Sequence, residues 1–100
     1  MNNQERREEI LKQMAQIDSM AKGSLNTEYR ETKKKGGEKV QLGPYYKYQR
    51  WENGRNVTRR VSAEEAEQLK KAVDGYHRFL ELADEFVAIS VEMTEEAGRA

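Results

Sequence analysis

Lys47, Gln49, Trp51, Asn56, Thr58 and Arg60 are the residues in this chain with chemistry to offer a partner. They occupy alternate positions in two runs on either side of Asn53-Gly54. Asn-Gly between runs of aromatic and β-branched residues signals a two-residue hairpin, because a type I′ turn needs φ > 0 at both central positions. The turn then dictates the pairs: Glu52 with Arg55, Trp51 with Asn56, Arg50 with Val57, Gln49 with Thr58, Tyr48 with Arg59, Lys47 with Arg60 and Tyr46 with Val61. Period-2 alternation sorts the side chains. One face carries Tyr46, Tyr48, Arg50, Val57, Arg59 and Val61 and suits contact with a helix. The other carries Lys47, Gln49, Trp51, Asn56, Thr58 and Arg60, with Tyr45 at its edge. That second face has no aliphatic residue, so burial does not explain it. Lys and Arg neutralise phosphates, Gln, Asn and Thr can contact base edges, and Trp can stack on an unpaired base.

Other chemistries find little support. There is no Cys and one His, His77, so disulfides, thiolate metal sites and paired-His centres are excluded. His77 lies four residues before Glu81, a spacing that an ordinary surface hydrogen bond on a helix explains. Glu64-Glu65, Asp84-Glu85 and Glu95-Glu96 are neighbours in sequence and point in different directions on a helix, so none forms a chelate by itself. Gly36-Gly37 matches no phosphate-loop pattern. No catalytic residue, metal or cofactor is expected.

The net charge of zero hides a segregation. Residues 22–60 carry eleven basic and four acidic groups, net +7. Residues 61–100 carry four basic and ten acidic groups, net −6. A basic middle beside an acidic end either serves a charged partner or neutralises itself within the protein. No run approaches a membrane span, so the expected location is the cytoplasm.

The elements that must hold the hairpin follow from periodicity. A length of 100 residues allows one small domain, and 36% apolar residues make its core thin. Ile10, Met14, Ile17 and Ala21, widened by Leu11 and Met20, predict a helix over 3–22, capped by Asn2 or Asn3 and ended by Gly23. Residues 24–42 read as a mobile basic loop around Lys33, Lys34 and Lys35, with Val40–Leu42 able to add an edge strand. The hairpin occupies 43–61. Ser62 and Glu65 form a capping-box pattern that opens a long helix over 63–97. Leu69, Val73, Tyr76, Leu80, Ala83 and Val87 form its apolar stripe, with a second coiled-coil-like series at Ala72, Phe79, Phe86 and Met93. Gly75 in mid-helix marks a close backbone approach or a break. The long helix should span ~50 Å and the first only ~30 Å. Phe86, Val87, Ile89, Val91 and Met93 are therefore expected to lack an intrachain partner and to be buried in a homodimer.

The order of motifs resembles a small uncharacterised prokaryotic family often met alongside mobile-element genes. The residues that carry the resemblance are Gly23-Ser24-Leu25, Tyr29-Arg30, Gly43-Pro44-Tyr45-Tyr46, Arg59-Arg60-Val61-Ser62 and Tyr76-His77-Arg78-Phe79. The resemblance covers most of residues 20–85. It implies a cysteine cluster, like a metal clip, between the Tyr-Arg and Gly-Pro-Tyr-Tyr elements. This chain has Glu31 to Gly37 there and no Cys. The departure removes the implied metal and predicts a looser loop.

The expectation is an α+β domain: an N-terminal helix, a β-hairpin with a possible third edge strand, and a long C-terminal helix. Its expected role is a small non-enzymatic nucleic-acid-binding accessory protein, with DNA preferred over RNA. Lys33, Lys34, Lys35, Lys47 and Arg60 would hold phosphates, Gln49, Asn56 and Thr58 would contact bases, and Trp51 would stack. The alternative is an assembly module that dimerises through the long helix.

Overall fold

The computed structural model describes residues 1–99. In chain order they form α1 (Asn3–Ala15), β1 (Ser24–Lys33), β2 (Lys39–Glu52), β3 (Arg55–Val61) and α2 (Ala63–Gly98). The strands make one antiparallel sheet in the order β1-β2-β3. The α+β architecture is as the sequence predicts, with the third strand far longer than expected.

The β2–β3 hairpin has the register that its turn dictates, from Tyr46 opposite Val61 to Glu52 opposite Arg55. Asn53 and Gly54 both have positive φ, 52° and 78°. Two caps then set the helices. The Asn2 side chain accepts from the Glu5 N–H at 2.8 Å, and Ser62 Oγ accepts from the Glu65 N–H at 3.1 Å. The Glu65 carboxylate accepts from Arg59 Nη1 at 2.6 and 2.9 Å, which ties β3 to the first turn of α2.

The predicted irregular loop is a strand. β1 pairs with β2 from Ser24 opposite Gln49 to Lys33 opposite Lys39. Val40–Leu42 is accordingly the start of a 14-residue strand and not a separate edge. The register shifts where Tyr29 faces Gly43-Pro44, a cis peptide. Pro44 supplies no N–H to a ladder, and a bulge tolerates that. The supposed mobile loop is a tight turn, with the Lys34 N–H donating to the Glu38 carbonyl at 2.8 Å and the Gly37 N–H to the Lys34 carbonyl at 2.9 Å.

The predicted first helix is also shorter than its apolar spacing suggests. It ends at Ala15 with Gln16 as C-cap, and Ile17 to Lys22 form a strap without regular secondary structure that crosses α2. The strap is drawn into tertiary bonds: the Ala21 N–H donates to the Ala72 carbonyl at 3.0 Å, and the Tyr48 hydroxyl donates to the Lys22 carbonyl. Burial of Ala21 and Leu25 beside the hairpin outweighs two further helical turns. Gly23 therefore precedes β1 rather than ending α1.

The result is two small cores along one helix. Tyr48, Val61, Ala66 and Val73 are buried between the sheet and the first half of α2, with Ala21, Leu25, Tyr46 and Leu69 against them. Val57, expected in that core, is 36% exposed and lies outside it. Ile10 and Leu82, both 0% exposed, mark the second core, where α1 lies antiparallel on the second half of α2. Arg6 grips Glu85 through two bonds of 2.6 and 2.7 Å, and Arg78 donates to Gln13 at 2.8 Å. Arg7 lies 4.7 Å from the Phe86 ring and donates to Met93 Sδ at 3.7 Å. Phe86 and Met93 thus have intrachain partners, contrary to the length argument, because α1 is displaced along α2 instead of starting level with it. The molecule measures 79 × 32 × 22 Å, with a radius of gyration of 21.3 Å. A compact domain of this length would have a radius of about 13 Å.

Gly75 is where the strap crosses α2. A Cβ there would lie 2.3 Å from the Ser19 carbonyl oxygen and 3.2 Å from Ile17 Cγ2. On an open helix surface Gly→Ala stabilises by about 1 kcal/mol. Here the sign should invert, and Gly75→Ala should destabilise by about 1–3 kcal/mol. A raised midpoint in denaturant would place the strap elsewhere.

Arg6 also makes the helix pair sensitive to acid. Hydrogen bonding from Arg6, reinforced by its charge, holds the Glu85 carboxyl below its ordinary value. A depressed folded-state pKa contributes stability that is complete above the unfolded value and is lost as pH falls through the folded one. Wild-type protein should therefore melt above Glu85→Gln at pH 7. The gap should close at pH values below the ordinary carboxylate range of about 4. Melting curves from neutral to acid pH measure this, and a gap independent of pH would show that the ion pair contributes nothing.

Candidate nucleic-acid interface

α2 and the strap pack on one face of the sheet, and the other face is left to solvent. Along β2 the outer face carries Tyr45, Lys47, Gln49 and Trp51; β3 adds Asn56, Thr58 and Arg60. β1, unforeseen from sequence, adds Ser24, Asn26 and Glu28 opposite Gln49, Lys47 and Tyr45, and Arg30 beyond them. Asn56, Thr58 and Arg60 are exposed, and Trp51 is 75% exposed. Six of the nine residues named from sequence therefore share one surface.

The polar groups on this surface are already connected. Asn26 Nδ2 donates to Gln49 Oε1 at 3.2 Å, and Gln49 Nε2 donates to Thr58 Oγ1 at 3.4 Å. The three side chains form a strip across all three strands. Lys47 Nζ lies 3.1 Å from Glu28 Oε2, both side chains being partly exposed. Such a pair is worth only ~0–1 kcal/mol, so an incoming anion can compete for the ammonium.

Tyr45 is the centre of a cluster that sequence reasoning missed. The Arg60 guanidinium lies 4.4 Å and that of Arg30 5.3 Å from its ring centroid. Among the described residues neither arginine forms an ion pair. Their stacking on an aromatic ring leaves the N–H edges free for an anion. The signal in the sequence was Tyr29-Arg30, but only a strand assignment for residues 24–33 could have brought Arg30 to Tyr45.

Lys33, Lys34 and Lys35 do not join this site. They lie at the β1–β2 turn, at the opposite end of β2 from Trp51. Twelve residues of strand separate Lys39 from Trp51, ~40 Å at 3.3 Å each. At the Trp51 end, Lys22, Gly23, Ser24, Gln49, Arg50, Trp51 and Asn56 line a shallow cleft of about 390 Å3.

Nothing in the geometry assembles a reaction centre around His77. Its ring lies 6.1 Å from that of Tyr76, and Glu81, its expected hydrogen-bond partner, instead accepts from Arg78 at 3.3 Å. No group of three metal-ligating side chains occurs among the described residues. No described helix is long and apolar enough to cross a membrane.

A family model described as a domain of unknown function, DUF6788, matches residues 3–71. The chain belongs to the DUF6788 family. No curated protein and no solved structure matches it. The DUF6788 match takes in α1, the whole sheet and the start of α2, and so includes every residue of the outer face. The Tyr76-His77-Arg78-Phe79 element of the sequence resemblance lies beyond the matched residues.

The two faces of β2 should separate in stability measurements. Tyr48 is buried and Trp51 is exposed. Tyr48→Ala should cost about 3–5 kcal/mol, as large aromatic truncations do. Trp51→Ala should stay within about 0.5 kcal/mol of wild type. A large loss for Trp51→Ala in urea denaturation would mean that the outer face is covered.

Proposed function

We propose that the protein is a small non-enzymatic nucleic-acid-binding accessory protein and that the outer face of its sheet is the binding surface. The observation that carries this reading is an uncovered sheet face with a 75% exposed Trp at one end and two arginines free of carboxylates at the other. Trp is enriched at binding surfaces, where its large ring offers contact area and a polar N–H. The basic excess of residues 22–60 supplies the field that draws a polyanion to this face. The resemblance to a family met beside mobile-element genes fits an accessory role of this kind.

The test is titration of labelled oligonucleotides at two salt concentrations. Arg60→Ala should weaken binding uniformly across sequences and reduce the salt slope by about one charge. Glu28→Gln should tighten binding, because it releases Lys47 from its ion pair. Absence of binding at low salt, to duplex and single strand alike, would end this reading.

A second reading has its own observation. Leu80, Val87 and Val91, seven and four residues apart on α2, are 43%, 59% and 51% exposed. A groove of about 330 Å3 runs beside Val87 and Val91, lined also by Phe86, Ser90, Thr94 and Glu95. An assembly module would bury this stripe against a second copy. Light scattering at micromolar concentration should then give a dimer mass that Val87→Asp abolishes. A monomeric wild-type mass would remove this alternative.

A further inference from the structure

We infer that the outer face accepts an unpaired nucleic-acid strand, laid along β2 from Trp51 to the Tyr45, Arg30 and Arg60 cluster, in preference to a duplex. This rests on the nucleic-acid reading above and narrows its substrate.

The first argument is width. A B-DNA major groove of about 12 Å admits a helix or a two-stranded ribbon. β1 covers the β2 edge up to Gln49, so Lys47, Gln49, Thr58 and Arg60 lie in a three-stranded region. Three strands span ~10 Å between their outer backbones alone, before side chains are added. Only the tip from Arg50 to Val57 is a free two-stranded ribbon. The tip fits a duplex groove with room to spare, whereas the three-stranded region behind it takes up nearly the whole groove width.

The second argument is the form of the polar surface. Asn26, Gln49 and Thr58 bond to one another across the strands. They make a polar band across the sheet, which a nucleic-acid strand laid along β2 crosses between Trp51 and Tyr45. An unpaired strand offers bases whose edges can exchange with these bonds and whose faces can stack.

The third argument is the placement of the aromatics. Trp51 and Tyr45 share this face, six residues apart on one strand, ~20 Å at the strand rise. Stacking on aromatics beside cationic groups that track the backbone is how sequence-tolerant single-strand sites work, with footprints from about four nucleotides upward. Trp51 stands open over its cleft, which Lys22 also lines. At the other end Arg30 and Arg60 offer N–H groups to a phosphate while Tyr45 holds both guanidiniums. Lys47, Arg30 and Arg60 on this face complement a strand's phosphates.

The experiment measures anisotropy of fluorescein-labelled 12-mers: mixed-sequence DNA, the same sequence in RNA, and the DNA duplex. Either single strand should bind at least tenfold more tightly than the duplex. Binding should also quench the emission of Trp51, the one Trp of the chain. Trp51→Ala should weaken single-strand binding by about tenfold, within the range measured for base–aromatic stacking. Arg30→Ala should flatten the single-strand salt slope by about 0.7. Tyr45→Leu, whose fold is checked by its melting temperature, should reproduce the loss of Arg30→Ala. Duplex binding as tight as single-strand binding would overturn this inference and leave the broader reading intact. Single-strand binding untouched by both Trp51→Ala and Arg30→Ala would overturn it as well. Failure of every oligonucleotide to bind at low salt would instead remove the nucleic-acid reading itself.

Discussion

The crossing of the strap over α2 at Gly75 is the constraint on which the rest of the fold depends. With no side chain at that position, the backbone of Ile17 to Ser19 lies directly on the helix. The crossing divides α2 into two halves with different duties. The half before it carries the sheet, and the half after it carries α1. Any residue larger than Gly would lift the strap and loosen the delivery of Ala21 to the Ala72 carbonyl and of the Lys22 carbonyl to Tyr48. Those two bonds locate the start of β1 against β2, so the width of the outer face follows from the same contact.

An elongated molecule with two small cores buries little, and its polar contacts reflect that. Arg6 with Glu85 and Arg78 with Gln13 join helices distant in sequence, and Arg59 with Glu65 joins the consecutive elements β3 and α2. These pairs are partly exposed and serve register more than stability. The segregation of charge along the chain is therefore used only in part within the protein. Arg59 neutralises Glu65 across the sheet–helix junction. Arg30 and Arg60 are left on the outer face, stacked on Tyr45. The sheet is thus divided between an inner face spent on folding and an outer face not spent on it.

The candidate site was legible where local rules decide it. Alternation along β2 and β3 placed Lys47, Gln49, Trp51, Asn56, Thr58 and Arg60 together because Asn53-Gly54 permits one turn geometry and one register. It was illegible where a distant strand completes it. Arg30 and Asn26 join the face only through pairing with β2, and Lys33 to Lys35 leave it for the same reason.

By itself, then, the sequence determined the hairpin, its two faces and the Ser62 start of α2. These rest on turn chemistry, capping and periodicity, which act over a few residues. Tertiary structure alone decided that residues 24–33 are a strand. Leu25 is the one aliphatic side chain there, and most of the others are exposed, so no alternating pattern marks it. Its bonds to the β2 edge stabilise it instead. Tertiary structure also decided that α1 stops at Ala15, although apolar residues continue at helical spacing through Ala21. The gain from docking Ala21 and Leu25 beside Tyr48 exceeds what two more helical turns would return, and that balance is set by residues nearly thirty positions away.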